Sequence, residues 1–125
     1  MNETQAIKFL PSQHVIDGYG RGGFRFADMS HQGNLLSIPS GMSAWNVSSP
    51  FTKDDFVKTF AEFDLIDMFF LGCGTDIIPI APSLRQMFKD HNIAFDPMPT
   101  AVAARTYNIV LAEGRRVACG LIAVA

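Results

Sequence analysis

The N-terminal part of the chain shows the short alternating pattern that is typical of β-strands. Phe24 and Phe26 flank the polar Arg25, so that one face of a strand is apolar and the other polar. Gly20 to Gly23 supply the backbone freedom that a tight connection before this strand needs. Four segments carry the pattern and predict an antiparallel meander, with a turn over residues 31–33: residues 14–20, 23–27, 34–39 and 42–47.

Helical periodicity begins after Pro50 and then alternates with apolar strands. Phe56, Phe60 and Phe63 recur at helical spacing and place three aromatic rings on one face. The pattern predicts helices over residues 52–63, 83–92 and 99–114. It predicts strands over residues 65–72, 93–95 and 115–125. Strands that alternate with helices favour parallel pairing with right-handed crossovers.

These elements predict an α/β fold. The central sheet is expected to be mixed and mainly parallel, with helices packed on it and the antiparallel meander at the N-terminal side. A length of 125 residues fits one domain, and a hydrophobic content of 48% is enough for a sizeable core. We therefore predict an N-terminal tail over residues 1–12 and a single domain over residues 13–125.

Charge and cysteine usage exclude several classes of protein. The net charge of −2 and the lack of a long basic run argue against a nucleic-acid partner. No uncharged apolar run reaches the roughly 18–20 residues that a membrane span needs. The N-terminus lacks the pattern of a secretory signal. Cys73 and Cys119 lie apart in apolar surroundings, which favours reduced thiols and a cytoplasmic location.

The first candidate site is the turn Gly72–Thr75, which follows a predicted apolar strand. Ligands of open α/β sheets sit beyond the carboxyl ends of strands, and free N–H groups at such a turn could hold an anion. The turn matches neither a P-loop nor G-x-G-x-x-G, because Ile77 stands at the third glycine position. A ligand-binding loop and a plain tight turn therefore remain open. Cys73 is a nucleophile only if a base folds near it, and otherwise a small residue in a tight place.

The second candidate is the polar segment Arg105–Asn108 inside the last predicted helix. Tyr107 could donate a proton and Arg105 could hold an anion. We expect this segment to lie beside the turn and to steady it. The predicted ligand-binding residues are Gly72, Cys73, Gly74, Thr75, Arg105, Tyr107 and Asn108, supported by Trp45 and Asn46. The histidines show no metal-ligand spacing, so we predict no metal site and no cofactor.

Three stretches, residues 45–47, 69–75 and 98–122, carry a recognisable set of motifs. With them the sequence resembles a family of small domains that includes mitochondrial respiratory complex I assembly factor 3 and many bacterial and archaeal members. The matching positions are Gly72, Gly74, Thr75, Pro99, Thr100, Ala101, Thr106, Tyr107, Asn108, Glu113, Gly114, Arg115 and Val117. The resemblance implies a three-layer fold with a mixed sheet. It carries over no catalytic residue, because none is established for the family.

Three hypotheses of function follow. The resemblance implies a non-enzymatic assembly or scaffold factor, with a protein partner in the assembly of a membrane complex. The alternative is a small-molecule or anion-binding protein, or an enzyme of unknown reaction, with its site at Gly72–Thr75. It ranks second because the sequence offers neither paired carboxylates nor a nucleophile with an evident base. A role at a membrane surface ranks third, since no basic amphipathic helix is present. The sequence does not set the oligomeric state.

Overall fold

A computed structural model describes residues 8–125 of the chain. The described part contains nine strands and three helices. The strands are β1 (Lys8–Leu10), β2 (Gly18–Gly20), β3 (Gly23–Phe26), β4 (Met29–Gln32), β5 (Leu35–Ile38), β6 (Gly41–Ala44), β7 (Met68–Gly72), β8 (Ala94–Met98) and β9 (Val117–Leu121). The helices are α1 (Val57–Phe60), α2 (Pro82–Asp90) and α3 (Thr100–Ala112).

A six-stranded mixed sheet forms the centre of the fold, in the order β1-β6-β5-β9-β7-β8. The predicted α/β class with a mixed central sheet is thereby confirmed. The balance of pairing differs from the expectation of a mainly parallel sheet. β7 pairs in parallel with β8 and β9, whereas the pairs β1–β6, β6–β5 and β5–β9 are antiparallel. The difference arises because the β5–β6 hairpin joins the central sheet beside β9.

The predicted four-stranded meander is divided between two sheets. β2, β3 and β4 form a separate three-stranded antiparallel sheet. The prediction of a turn over residues 31–33 is wrong for residues 31 and 32, which belong to β4. The chain turns instead at Ala27 and Asp28, whose φ angles are +48° and +61°. Two successive positive φ angles are typical of a mirror-image hairpin turn, but Ala-Asp lacks the usual Asn-Gly signature.

The two faces of the central sheet carry separate apolar clusters, which gives the fold its three layers. Phe69 and Leu71 of β7 pack on the side of α2, while Phe70 between them packs on the side of α3. The small sheet covers the α3 side together with that helix, since Phe24 and Phe26 belong to its cluster. β7 is therefore buried on both faces, as its unbroken apolar sequence predicts.

The aromatic residues that predict the first helix meet in the cluster on the α2 side. The ring of Phe56 lies 5.4 Å from that of Phe88 and 5.6 Å from those of Trp45 and Phe69. The helix itself is shorter than the predicted 52–63, because α1 is flanked by two short 3-10 turns. Offset and edge-on contacts between rings stabilise a core beyond the area that they bury.

Thr59 of α1 is fully buried, and its hydroxyl has no hydrogen-bond partner among residues 8–125. We expect Thr59→Val to stabilise the protein by about 1 kcal/mol, because a methyl group replaces an unpaired polar atom at nearly the same volume. Urea unfolding followed by circular dichroism measures the change. Thr59→Ser is the matched control, since it keeps the hydroxyl and loses the methyl group, and it should destabilise the protein. A lower urea midpoint for the valine variant would contradict the assignment.

The later part of the predicted tail adds a strand to the sheet. Residues 8–10 lie within the tail predicted over residues 1–12, and they form β1 beside β6. Residues 1–7 of that tail lie outside the described residues. Within the described part, none of the helices has the length and apolar character to cross a lipid bilayer.

Candidate functional site

The turn Gly72–Thr75 leaves the carboxyl end of β7 and is held by backbone bonds on both sides. The N–H of Cys73 donates to the Met98 carbonyl of β8 at 2.8 Å, and the Gly72 carbonyl accepts from the N–H of Ile122 at 2.9 Å. Gly74 has a φ angle of +96°, a conformation that residues with a side chain rarely adopt. The turn is thus fixed between the ends of the two strands that flank β7.

Thr100, the first residue of α3, makes the remaining bonds to this turn. Its N–H donates to the Gly74 carbonyl at 2.9 Å, and its Oγ1 accepts from the Gly74 N–H at 2.9 Å. The same hydroxyl donates to the Ile122 carbonyl at 2.7 Å. Thr100 is fully buried and joins the end of β7, the start of α3 and the end of β9. The motif comparison names Thr100, but the predicted site omits it. A threonine hydroxyl at the start of a helix is the signal that could have found it.

Gly72 is a glycine because other parts of the protein approach it closely. A Cβ atom there would lie 2.9 Å from Leu121 Cδ2 and 3.0 Å from the Thr100 Cα. The N–H groups of Cys73 and Gly74 are already bonded within the protein, so an anion cradle made of these donors is not free. Thr75 is exposed. A ligand at this turn stays a prediction, and it would have to bind from the Thr75 side.

Cys73 is buried, with 8% of its surface exposed. Its Sγ donates to the Leu71 carbonyl at 3.8 Å, which is a weak contact. It packs in the apolar cluster on the α2 side. This environment supports the interpretation of Cys73 as a small residue in a tight place, because a reactive thiolate needs a basic or cationic neighbour.

Tyr107 lies in the middle of α3 and is fully buried. Its hydroxyl donates to the His14 carbonyl at 2.9 Å, so the Ser37 hydroxyl, 2.7 Å away, must be the donor in their shared bond. Burial, with a smaller contribution from neighbouring Cys119, raises the pKa of the Tyr107 phenol far above its usual value. Tyr107 therefore stays protonated, and its hydroxyl donates a hydrogen bond to a backbone carbonyl of the protein itself.

Asn108 binds the N-terminal strap, the name used here for residues 13–16. Its Nδ2 donates to the Ile16 carbonyl at 2.8 Å, and its Oδ1 accepts from the Ile16 N–H at 2.7 Å. The Gln13 side chain donates to the Val117 carbonyl at 2.7 Å, at the other end of the strap. Asn108 and Tyr107 thus fasten an extended segment across α3, where an extended chain would otherwise leave backbone groups unpaired.

The two parts of the predicted site occupy different places along α3. The turn lies against Thr100, whereas Tyr107 is two helical turns further on, about 10 Å along the axis. No hydrogen bond within residues 8–125 joins the segment Arg105–Asn108 to the turn Gly72–Thr75. Arg105 is exposed, on the solvent side of α3. The polar residues within α3 hold the strap, and the first residue of the helix holds the turn.

Trp45 and Asn46, which are predicted to support the site, also lie in different surroundings. Trp45 is buried, and its indole N–H donates to the Asp55 carbonyl at 2.9 Å, as the sequence predicts for an anchoring tryptophan. Asn46 is exposed and borders an open hollow of about 620 Å³ with Asn34 and Asp55. Among residues 8–125, no group of three or more His, Cys, Asp or Glu side chains is placed to hold a metal ion.

The role of Tyr107 is tested by removing its hydroxyl. We expect Tyr107→Phe to destabilise the protein by about 1–2 kcal/mol, because the buried Ser37 hydroxyl and His14 carbonyl lose their partner. Amide exchange by NMR should show faster exchange at Ile16, since the strap loses one of its anchors. Tyr19→Phe is the matched control, because Tyr19 is 48% exposed and its substitution should change stability little. Unchanged exchange at Ile16 would contradict the anchoring role.

The chain is similar over most of its length to other proteins. A model of the family described as a protein of unknown function (DUF498/DUF598) matches residues 16–122. An uncharacterised protein of Rhodobacter capsulatus is 36% identical over 107 residues, which cover 86% of this chain and 82% of that protein. The crystal structure of an outer membrane protein from Bartonella henselae has a TM-score of 0.90 at 40% identity, covering 94% of this chain and 100% of that one.

A further relative is described by its role. The NADH dehydrogenase (ubiquinone) 1 alpha subcomplex assembly factor 3 of Drosophila melanogaster is 33% identical over 113 residues, which cover 86% of this chain. The matched part is 58% of that relative, so this chain spans less than two thirds of its length. The match to the family model extends over β2 to β9 and includes both the turn and the strap-binding helix.

Proposed function

Because the chain belongs to the DUF498/DUF598 family of proteins of unknown function, we propose that it is a non-enzymatic factor that binds another protein during the assembly of a membrane complex. Membership confirms the resemblance that the motifs predict, and the family includes relatives named as assembly factors. The proposal includes a cytoplasmic location, which the two free, buried cysteines support.

The observation that carries the proposal is a pair of large apolar side chains exposed on the outer face of α3, on either side of the exposed Arg105. Val102 and Ile109 are 43% and 55% exposed. They are seven residues apart, so they lie on the same side of the helix two turns from each other. The opposite side of α3 is buried through Ala103, Ala104 and Tyr107. Most surface helices place polar residues outward, and α3 instead has apolar residues on both sides.

The strap that Asn108 binds also exposes an apolar side chain. Val15 is 39% exposed and directly precedes Ile16, which Asn108 binds. Single exposed apolar residues are common on proteins, but grouped ones favour an interaction surface. The hydrogen bonds of Tyr107 and Asn108 hold the strap against the helix, so this part of the surface is formed before a partner arrives. A preformed surface loses less conformational entropy on binding.

Deletion of the gene in its organism tests the assembly role. We expect the deletion strain to contain less assembled respiratory NADH dehydrogenase, measured by native gel electrophoresis and NADH oxidation in isolated membranes. Complementation with the wild-type gene should restore the complex, and complementation with Val102→Glu/Ile109→Glu should not. Normal amounts of the complex in the deletion strain would overturn the assembly role.

A matched variant separates the α3 face from a general effect of surface charge. Val57 of α1 is 62% exposed and lies in a different layer of the fold. We expect Val57→Glu to complement as well as the wild-type gene. All variants are first checked for equal abundance and equal melting temperature. Full complementation by the double variant at equal abundance would show that the partner binds elsewhere.

A further inference from the structure

The outer edge of β8 is a strand edge that no other strand covers within residues 8–125. β8 ends the order of the central sheet and pairs only with β7. An open strand edge presents unpaired N–H and C=O groups, and another chain can pair with them. Proteins usually protect such edges with prolines, charged side chains or covering segments. The residues of an edge therefore indicate which kind of strand can pair with it.

The hydrogen bonds of β8 show which of its backbone groups face outward. The Ala94 N–H donates to the Asp67 carbonyl at 3.0 Å, and the Met98 carbonyl accepts from the Cys73 N–H at 2.8 Å. Both residues therefore face β7. Because successive residues of a strand point their backbone groups to opposite sides, Phe95 and Pro97 face outward. Phe95 offers an N–H and a carbonyl, and Pro97 offers only a carbonyl.

Pro97 limits how a partner strand can pair with this edge. It has no N–H to donate, and proline in a sheet is found on edge strands for this reason. A partner strand antiparallel to β8 can exchange two bonds with Phe95 and donate one more to Pro97. A short partner strand can therefore pair with this edge, whereas Pro97 prevents a long strand from forming continuous hydrogen bonds along it.

Two cations stand beside this open stretch. A groove of about 370 Å³ lies between α2 and the edge, lined by Arg85, Lys89, Asn92, Ile93, Ala94 and Phe95. Arg85 and Lys89 are four residues apart on α2, so they lie on one side of the helix. Neither forms an ion pair with any described residue. Asp90, the neighbouring acid, accepts a hydrogen bond from Gln86 at 2.7 Å.

The other face of the edge carries the opposite charge. Phe95 packs toward α2, and its ring stacks on that of Phe88 with centroids 4.3 Å apart. Asp96 therefore projects toward the opposite side, where it is exposed. A partner strand would meet positive charge on its α2 side and negative charge on the other side. A partner strand in which acidic and neutral residues alternate fits this arrangement. Side chains of a strand alternate between its two faces, so all the acidic ones would lie on the α2 side.

We propose that the outer edge of β8 binds a short, extended, acidic segment of a partner protein as an added strand. The segment alternates acidic and neutral residues. Its acidic side chains face Arg85 and Lys89, and its backbone pairs with Phe95. This surface is separate from the outer face of α3. The test of this proposal therefore does not depend on the outcome for the assembly role.

The test uses a peptide of this pattern as the probe. Fluorescein-labelled Gly-Glu-Thr-Glu-Thr-Glu-Thr-amide is titrated with the full chain, and binding is followed by fluorescence anisotropy. We expect it to bind at least tenfold more tightly than a peptide of the same composition with its glutamates in one block. In amide-exchange NMR, the Phe95 N–H should become protected when the alternating peptide is present.

Charge-reversal variants complete the test. Arg85→Glu/Lys89→Glu should weaken binding of the alternating peptide at least tenfold. Lys53→Glu/Lys58→Glu is the control, because it makes the same change in net charge at exposed residues on another segment. The proposal is overturned if the peptide does not bind at millimolar protein concentrations. It is also overturned if both peptides bind equally, or if binding leaves the Phe95 amide unprotected.

Discussion

Gly120→Ala is expected to destabilise the protein by about 2–3 kcal/mol, because the added methyl group would overlap the ring of Trp45. A Cβ atom at Gly120 would lie 2.5 Å from Trp45 Cζ3 and 2.6 Å from Cη2. The ring cannot easily move away. It stacks on Phe51 with centroids 5.8 Å apart, and its N–H is bonded to the Asp55 carbonyl.

Urea unfolding and near-ultraviolet circular dichroism measure this effect. The dichroism should change as well as the urea midpoint, since the chain has a single tryptophan and the substitution displaces it. Gly18→Ala is the matched control, because a Cβ atom there comes no closer than 4.0 Å to another atom. We expect that variant to change stability by less than about 1 kcal/mol. Equal midpoints for the two variants would show that Trp45 does not restrict Gly120.

Thr100→Val is expected to destabilise the protein by about 3 kcal/mol. The substitution keeps the shape of the side chain and removes the hydroxyl, so the Gly74 N–H and the Ile122 carbonyl both lose a partner. An unpaired buried polar group costs about 1–3 kcal/mol. Amide exchange at Gly74 should become faster, which a general loss of packing elsewhere would not produce selectively.

Two further substitutions bracket this prediction. Thr106→Val removes a hydroxyl of the same helix that donates only to the Val102 carbonyl, at 2.8 Å and on the exposed side. It should change stability by less than about 0.5 kcal/mol. Thr100→Ser keeps the hydroxyl and should recover most of the loss. If the valine variants at positions 100 and 106 have equal urea midpoints, Thr100 does not hold the turn.

The elements that the sequence predicts best are those whose pattern is strong by itself. α2 and α3 appear within two residues of their predicted bounds, because long periodic segments allow few alternatives. β7 and β9 lie inside longer predicted strands, over residues 65–72 and 115–125. Of the four strands predicted in the N-terminal part, β2 and β3 lie in the separate antiparallel sheet, whereas β5 and β6 lie in the central sheet. An alternating pattern shows which face of a strand is buried, and it does not show which strand lies beside it. The pairing of β5 with β9 joins residues about eighty positions apart, which no local pattern contains.

The sequence singles out Tyr107 and Asn108 as candidate site residues, but it does not predict which groups they contact. Their binding of a ligand stays a prediction. Their partners in the strap are backbone groups, so side-chain identity gives no signal, and Tyr107 is 93 positions from His14. The Ser37 hydroxyl, which Tyr107 also contacts, lies in β5, 70 positions away. The tight packing around Gly72 has the same origin, since Thr100 and Leu121 reach it only in the folded chain.

The position of β9 has a consequence for synthesis of the protein on the ribosome. β9 lies between β5 and β7, so it joins β1, β6 and β5 to β7 and β8. The other strands within residues 8–125 leave the ribosome before it, because translation runs from the N-terminus. Until Leu121 emerges, β5 and β7 lack the strand that joins them. A chain stalled near Gly114 would therefore be a substrate for chaperones, and release of the last strand would close the core.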